Sequence, residues 1–171
     1  MKVDKSLGVD AIVLNGPSSA GKTTLARCLQ AKTVKTFLHF QLDAFWDMVP
    51  PPAEDANSKH FPYMKAVIAD TAKSFLKHDM PFILDTVMMP DDEIKLREAL
   101  APYNIFYVAV TVDLEVLEAR EMLREDRIIG LSRSQVEGGI HKGCDYDLTV
   151  DTTNKSPEDL AGIILNNLPE S

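Results

Sequence analysis

The chain has 171 residues, 45% of them hydrophobic, enough to bury a core and close to the usual size of one domain. Eighteen Lys and Arg against twenty-six Asp and Glu leave a formal charge of −8, which repels nucleic-acid phosphate and anionic membrane surfaces, so neither is expected as a partner. Residues 1–10 lack a signal-like apolar core, no stretch has the length to span a bilayer, and Cys28 and Cys144 form no metal-ligand spacing, so one cytoplasmic domain over residues 1–171 is expected.

The first apolar run, Ala11-Ile12-Val13-Leu14-Asn15, feeds directly into Gly16-Pro17-Ser18-Ser19-Ala20-Gly21-Lys22-Thr23. This fits the phosphate-loop pattern G-x-x-x-x-G-K-[ST] in its proper strand-to-helix context. Glycines let the backbone curl so that successive N–H groups converge on phosphate oxygens, and a helix starting near Lys22 adds its positive end. Lys22 then reaches the outer phosphates and Thr23 offers a hydroxyl to magnesium. Gly16 to Thr24 is therefore the expected seat of a nucleoside triphosphate. Pro17 removes one N–H from that cradle.

The second run, Phe37 to Phe40, leads to Asp43, just before Ala44-Phe45-Trp46. A carboxylate there is placed either to accept a proton from an acceptor hydroxyl as general base or to cap the next helix. The large apolar residues Phe45, Trp46, Met48, Met88 and Met89 flank the candidate carboxylates and read as the wall of a small-molecule pocket or as core. Pro50-Pro51-Pro52 marks a surface loop. Met64, Val67, Ile68, Thr71, Ala72, Phe75 and Leu76 then recur at helical spacing, predicting a helix that lays one stripe on a sheet. The third run, Phe82-Ile83-Leu84, ends in Asp85, a carboxylate suited to magnesium or to a hydrogen bond that closes the strand.

After the fourth run, Ile105 to Val112, a helix is predicted from about Asp113. If it continues, Arg120, Arg124 and Arg127 share one face. That face either clamps phosphate or is a solvated one paired with Glu118, Glu121 and Glu125. Arg133 follows in a Gly- and Ser-containing segment able to close over a nucleotide. The four histidines show no mutual metal spacing, and His141 alone stands near this candidate lid. The fifth run, Leu148 to Val150, ends in Asp151. Ser156 with Asp159 and Pro157 then open a last helix lined by Leu160, Ile163, Ile164 and Leu168. Strands alternating with helices predict a parallel sheet covered on both faces, with ligands at the carboxyl ends of the strands.

Taken together, Asn15 to Thr23, the Asp43 segment, Arg120 to Arg127, Gln135, Ile140-His141 and Tyr146 to Thr152 resemble the chloramphenicol phosphotransferase-like family over most of the chain. The resemblance implies a P-loop kinase-like, three-layer α/β/α fold with a parallel five-stranded sheet and a helical lid. It also implies an ATP-dependent kinase acting on a hydroxyl of chloramphenicol or a similar small molecule, with Asp43 as base. Lys22, Arg124 and Arg127 are then expected to neutralise charge, Arg120 and Arg133 to hold the nucleotide, Thr23 and Asp85 to hold Mg2+, and Phe45, Trp46 and Met88 to face the acceptor. The chain departs from the family pattern around Trp46, over Pro50 to His60, and at Glu125-Asp126-Arg127, which puts the acceptor most in question. The other readings are a nucleoside or metabolite kinase of the same fold, and a nucleotide-binding switch without transfer. A monomer or homodimer is expected.

Overall fold

The computed structural model describes residues 7–48, 54–123 and 129–170, and across 54–62 the backbone alone. Arg124, Arg127 and the triple proline lie outside the described residues. β1 (Ala11–Asn15), β2 (Leu38–Gln41), β3 (Phe82–Thr86), β4 (Ile105–Thr111) and β5 (Leu148–Asp151) form one sheet in the order β2-β3-β1-β4-β5. Every pairing between these strands is parallel. The connections carry α1 (Lys22–Lys32), α2 (Asp43–Trp46), α3 (Glu54–Lys77), α4 (Pro90–Leu100), α5 (Leu114–Met122) and α6 (Leu131–Glu137), and α7 (Pro157–Asn167) follows β5. The α/β architecture expected from the sequence is the one found.

The sheet is buried on both faces because its strands are apolar at odd and even positions alike. In β1, Ile12 and Leu14 pack with Leu25 and Leu29 of α1 and Leu160 and Ile164 of α7. Ala11 and Val13 point the other way, toward Ile68, Ala72 and Leu76 of α3 and Leu96 and Leu100 of α4. Complete burial of one leucine or isoleucine contributes about 1.5–3 kcal/mol, so this packing holds α1 in place although no side chain caps its N-terminus. The cap position is Gly21 at φ 86, leaving the first-turn N–H groups without a side-chain cap and open toward the loop.

One expectation needs adjustment. Val67 is 45% exposed, so the α3 stripe runs through Ile68, Ala72 and Leu76 with Val67 outside it. α5 ends at Met122 with Leu123 as its C-cap, so Arg120 lies in its last turn, while Arg124 and Arg127, which were to share its face if the helix continued, lie outside the described residues. The last helix begins as expected: Ser156 Oγ accepts the Asp159 N–H at 3.1 Å, and Pro157 occupies the first turn.

Candidate active site

At the carboxyl edge of the sheet a cleft of about 220 Å³ opens between the phosphate loop and the ends of β2 and β3. Ser18, Ser19, Gly21, Lys22, Thr23 and Thr24 form one wall, Leu42, Asp43, Asp85, Thr86 and Val87 the other, and Arg120 closes a side. The loop owes its shape to two positions. A side chain at Gly16 would put its Cβ 2.3 Å from the Val110 carbonyl oxygen, so only glycine lets β1 leave the sheet this close to β4. Ser19 holds φ at 63, a left-handed conformation that costs a non-glycine residue energy and recurs at ligand sites.

Lys22 is 6% exposed and donates from Nζ to the Pro17 carbonyl at 2.8 Å, so its ammonium lies across the loop. Thr23 Oγ1 donates to Asp85 Oδ2 at 2.6 Å, and His39 Nε2 stands 3.5 Å from the same oxygen. Burial would push the Asp85 carboxyl up. The His39 hydrogen bond, the Lys22 charge and the Thr23 hydroxyl outweigh burial and hold it below the usual carboxylate value. Asp85 is therefore an anion in a cleft, adjacent to a hydroxyl, the donor set that suits a hard divalent cation sharing phosphate oxygens.

Asp43 is exposed, opens α2, and lines the cleft opposite the loop. Its backbone carbonyl accepts from the Asp47 N–H at 3.0 Å, so the residue both starts a helix and faces the cleft. Three buried hydroxyls, on Ser18, Ser19 and Thr86, find no hydrogen-bond partner among the described residues. All three residues line this cleft. Buried hydroxyls are ordinarily bonded, so their convergence marks a place built for a polar ligand. The residues present thus fit a bound triphosphate.

The lid is tied to the loop by residues the sequence did not single out for this role. Glu121 is 1% exposed and accepts from the N–H groups of Gly130 at 2.7 Å and Ser132 at 3.0 Å, capping α6 from α5. This corrects its expected place on a solvated face. Ser132 Oγ lies 2.6 Å from Glu121 Oε1 and 3.1 Å from the Ser18 carbonyl oxygen. The Ser18 N–H donates to Gln135 Oε1 at 2.7 Å. Thr152 Oγ1 donates to the Ala20 carbonyl at 2.9 Å and accepts from Arg120 Nη1 at 3.1 Å, while Arg120 Nη2 holds the Thr152 carbonyl at 2.7 Å. Arg120 so placed separates the cleft from a second recess of about 240 Å³ lined by Leu25, Lys155, Pro157 and Leu160.

Other expected residues lie elsewhere. Arg133 forks onto Glu118 (2.7 and 3.1 Å) and Glu137 (3.1 Å) on the exposed side of α6 and does not line the cleft. Met88 is 1% exposed with its side chain in the core, and its main chain is clamped by Asn15. Phe45 and Trp46 pack partly buried against the same cluster, Phe45 with its ring 5.6 Å from that of Phe40. The residues lining the cleft on that side are Leu42, Thr86 and Val87. His39 was legible in principle, since alternation about Phe40 turns it to the Asp85 face.

The model of the chloramphenicol phosphotransferase-like protein family matches residues 9–169. A candidate O-phosphotransferase of Mycobacterium tuberculosis is 32% identical over 177 residues, covering 88% of this chain and 78% of the relative. Among solved structures, Acinetobacter baumannii shikimate kinase in complex with shikimate superposes with a TM-score of 0.69 at 20% identity, covering 92% of each chain. Mycobacterium tuberculosis APS kinase in complex with AMPPNP and APS gives 0.68 at 14% identity, covering 94% of this chain and 98% of that one. With this sheet order, this loop and a match over nearly its whole length, the chain belongs to the chloramphenicol phosphotransferase-like family and is a phosphotransferase of the P-loop kinase fold.

Proposed function

We infer that this phosphotransferase moves the γ-phosphate of ATP to a hydroxyl of chloramphenicol or a similar small molecule, with Asp43 as general base. The observation that carries the reading is the meeting, in one cleft, of the phosphate loop, the Thr23–Asp85 pair and Asp43 on the facing wall. ATP with Mg2+ supplies an electrophilic phosphoryl group whose charge the site must neutralise. The loop from Gly16 to Thr24 holds the phosphates through its open backbone N–H groups, Pro17 having none and Ser18 giving its own to Gln135, and Lys22 adds its ammonium from within the loop. Thr23 and Asp85 would hold the metal ion. Asp43 accepts the proton that the acceptor hydroxyl sheds as its oxygen bonds the γ-phosphorus and the bond from that phosphorus to the bridging oxygen breaks, leaving ADP. Arg120 grips the nucleotide where the cleft meets the second recess, and the apolar side of that recess, Leu25, Pro157 and Leu160, suits a base. Arg124 and Arg127 are assigned to the phosphates on the family pattern alone.

That Phe45, Trp46 and Met88 are packed away from the cleft favours a second reading of the acceptor, a metabolite with a smaller apolar part than chloramphenicol. We assign the activity to one cytoplasmic domain over residues 1–171, as monomer or homodimer. The test is product mass after incubation with ATP, Mg2+, chloramphenicol and a panel of hydroxylated metabolites, with Asp43→Asn alongside. The expected result is a phosphorylated acceptor whose formation collapses in the variant at unchanged ATP affinity. Transfer at the normal rate by Asp43→Asn overturns the base assignment. ATP binding with no transfer to any acceptor returns the chain to the switch reading.

A further inference from the structure

Asp85 and Thr86 are neighbours in β3, and a strand sends neighbouring side chains to opposite faces. The register is fixed by the core: Ile83 packs on the α1 and α7 side, Phe82 and Leu84 on the α3 and α4 side. Asp85 accordingly meets Thr23 of α1, whereas Thr86 stands in line with Leu84 on the other face, beside Asn15 of β1. The cleft wall at the end of β3 therefore carries Asp85 turned to Thr23 on one sheet face and Thr86 on the other, with Leu42 and Asp43 on the same wall.

Thr86 is 1% exposed, and its Oγ1 has no partner among the described residues. Its neighbour in the sheet makes the contrast plain. Asn15 donates to the Met88 carbonyl and to Tyr146 OH, both at 2.9 Å, and accepts from the Met88 N–H at 2.8 Å. A polar side chain in this position is thus able to find protein partners, and Thr86 does not. The other two orphan hydroxyls, Ser18 and Ser19, sit in the phosphate loop and have phosphate to account for them. Thr86 belongs to β3 rather than to the loop, and its side chain takes the sheet face opposite the Thr23–Asp85 pair.

We propose that Thr86 is an acceptor-positioning residue: its hydroxyl bonds a second polar group, a hydroxyl or an amide, carried next to the hydroxyl that is phosphorylated. The inference rests on the kinase reading of the cleft and adds a substrate class to it. The acceptor is bifunctional, a vicinal diol or a hydroxy-amide rather than a simple alcohol. Two points of attachment, one at Asp43 and one at Thr86, fix which of its groups faces the phosphate.

The test is Thr86→Val, which replaces a hydroxyl by a methyl group of similar shape. In the absence of ligands the variant is expected to melt about 2–4 °C above the parent chain, because an unsatisfied buried hydroxyl has been removed. With ATP and a panel of simple alcohols, diols and hydroxy-amides that includes chloramphenicol, the parent chain favours the bifunctional acceptors. In the variant their KM rises about three- to tenfold while the KM for ATP holds, and Thr86→Ser restores the parent value. A variant that melts lower than the parent chain shows the hydroxyl serving the fold and overturns the proposal. An unchanged acceptor KM overturns it as well, and a raised KM for ATP assigns the hydroxyl to the nucleotide. Failure of the parent chain to phosphorylate any acceptor is a different result: it removes the kinase reading and this proposal with it.

Discussion

The Lys22 ammonium is almost fully buried, yet it is held by the very loop it serves, through the Pro17 carbonyl. A buried ammonium needs such partners, and a phosphate is a stronger one than a carbonyl. Lys22→Ala should weaken ATP binding by roughly 10- to 100-fold, the range of a lost charge-assisted hydrogen bond. Titration calorimetry with ATP and Mg2+ checks it, and unchanged affinity would remove Lys22 from the site. Lys22, Thr23 and the two loop glycines were legible because their spacing is local. The reason for Gly16 was not, since the obstacle is the Val110 carbonyl of β4. Asp85 was legible as the polar end of an apolar run, whereas the placement of Met88 and Thr86 depends on which sheet face each side chain takes.

Among the elements, α5 and α6 act as one unit because Glu121 reaches from the first to cap the second. A carboxylate at a helix N-terminus is favoured by the helix dipole as well as by the bonds it accepts. Glu121→Ala should cost about 2–3 kcal/mol in denaturant unfolding, through the lost cap and the stranded N–H groups. It should also raise the KM for ATP, because Ser132 then loses its tether between Glu121 and the Ser18 carbonyl. A variant as stable as the parent chain would refute the capping role. Helical spacing predicted α3 and α7 well, since their stripes are long. It left the end of α5 open, because the charged residues after Met122 give no apolar stripe to read. Gln135 and Thr152 were visible only as members of a family pattern, and their bonds to Ser18 and Ala20 span more than half the chain.

Across the whole molecule, one partly buried polar chain links β1 and β4 to the segment between α6 and β5. Asn15 donates to Tyr146 OH, Tyr146 OH stands 3.0 Å from His141 Nδ1, and His141 Nε2 is 3.4 Å from the Val110 carbonyl. These bonds fit a neutral imidazole protonated at Nε2. Burial, together with the Lys22 charge, lowers the His141 pKa from its ordinary 6.5 against the opposing pull of the Val110 carbonyl. The unfolded chain therefore binds this proton more readily than the folded one. Stability should be full above about pH 6.5 and fall as pH drops from there through the lowered folded value. In His141→Gln that part of the acid loss should vanish. Urea unfolding from pH 5 to 8 checks it, and identical pH profiles would place the charge sensitivity elsewhere. The fold class and the cleft were legible in the alternation of strands and helices, while this network, joining residues scattered from β1 to the approach to β5, was not. The sheet order has a consequence for how the chain reaches this state. β1 lies at the centre, and both its partners, β3 and β4, are made long after it. On a ribosome the phosphate loop thus emerges before either partner, its strand unpaired until residues near Phe82 arrive and open on its other edge until β4 follows. Such non-local pairing makes folding slow, and the loop carbonyl of Ala20 gains its Thr152 partner only once the chain has been made through the end of β5.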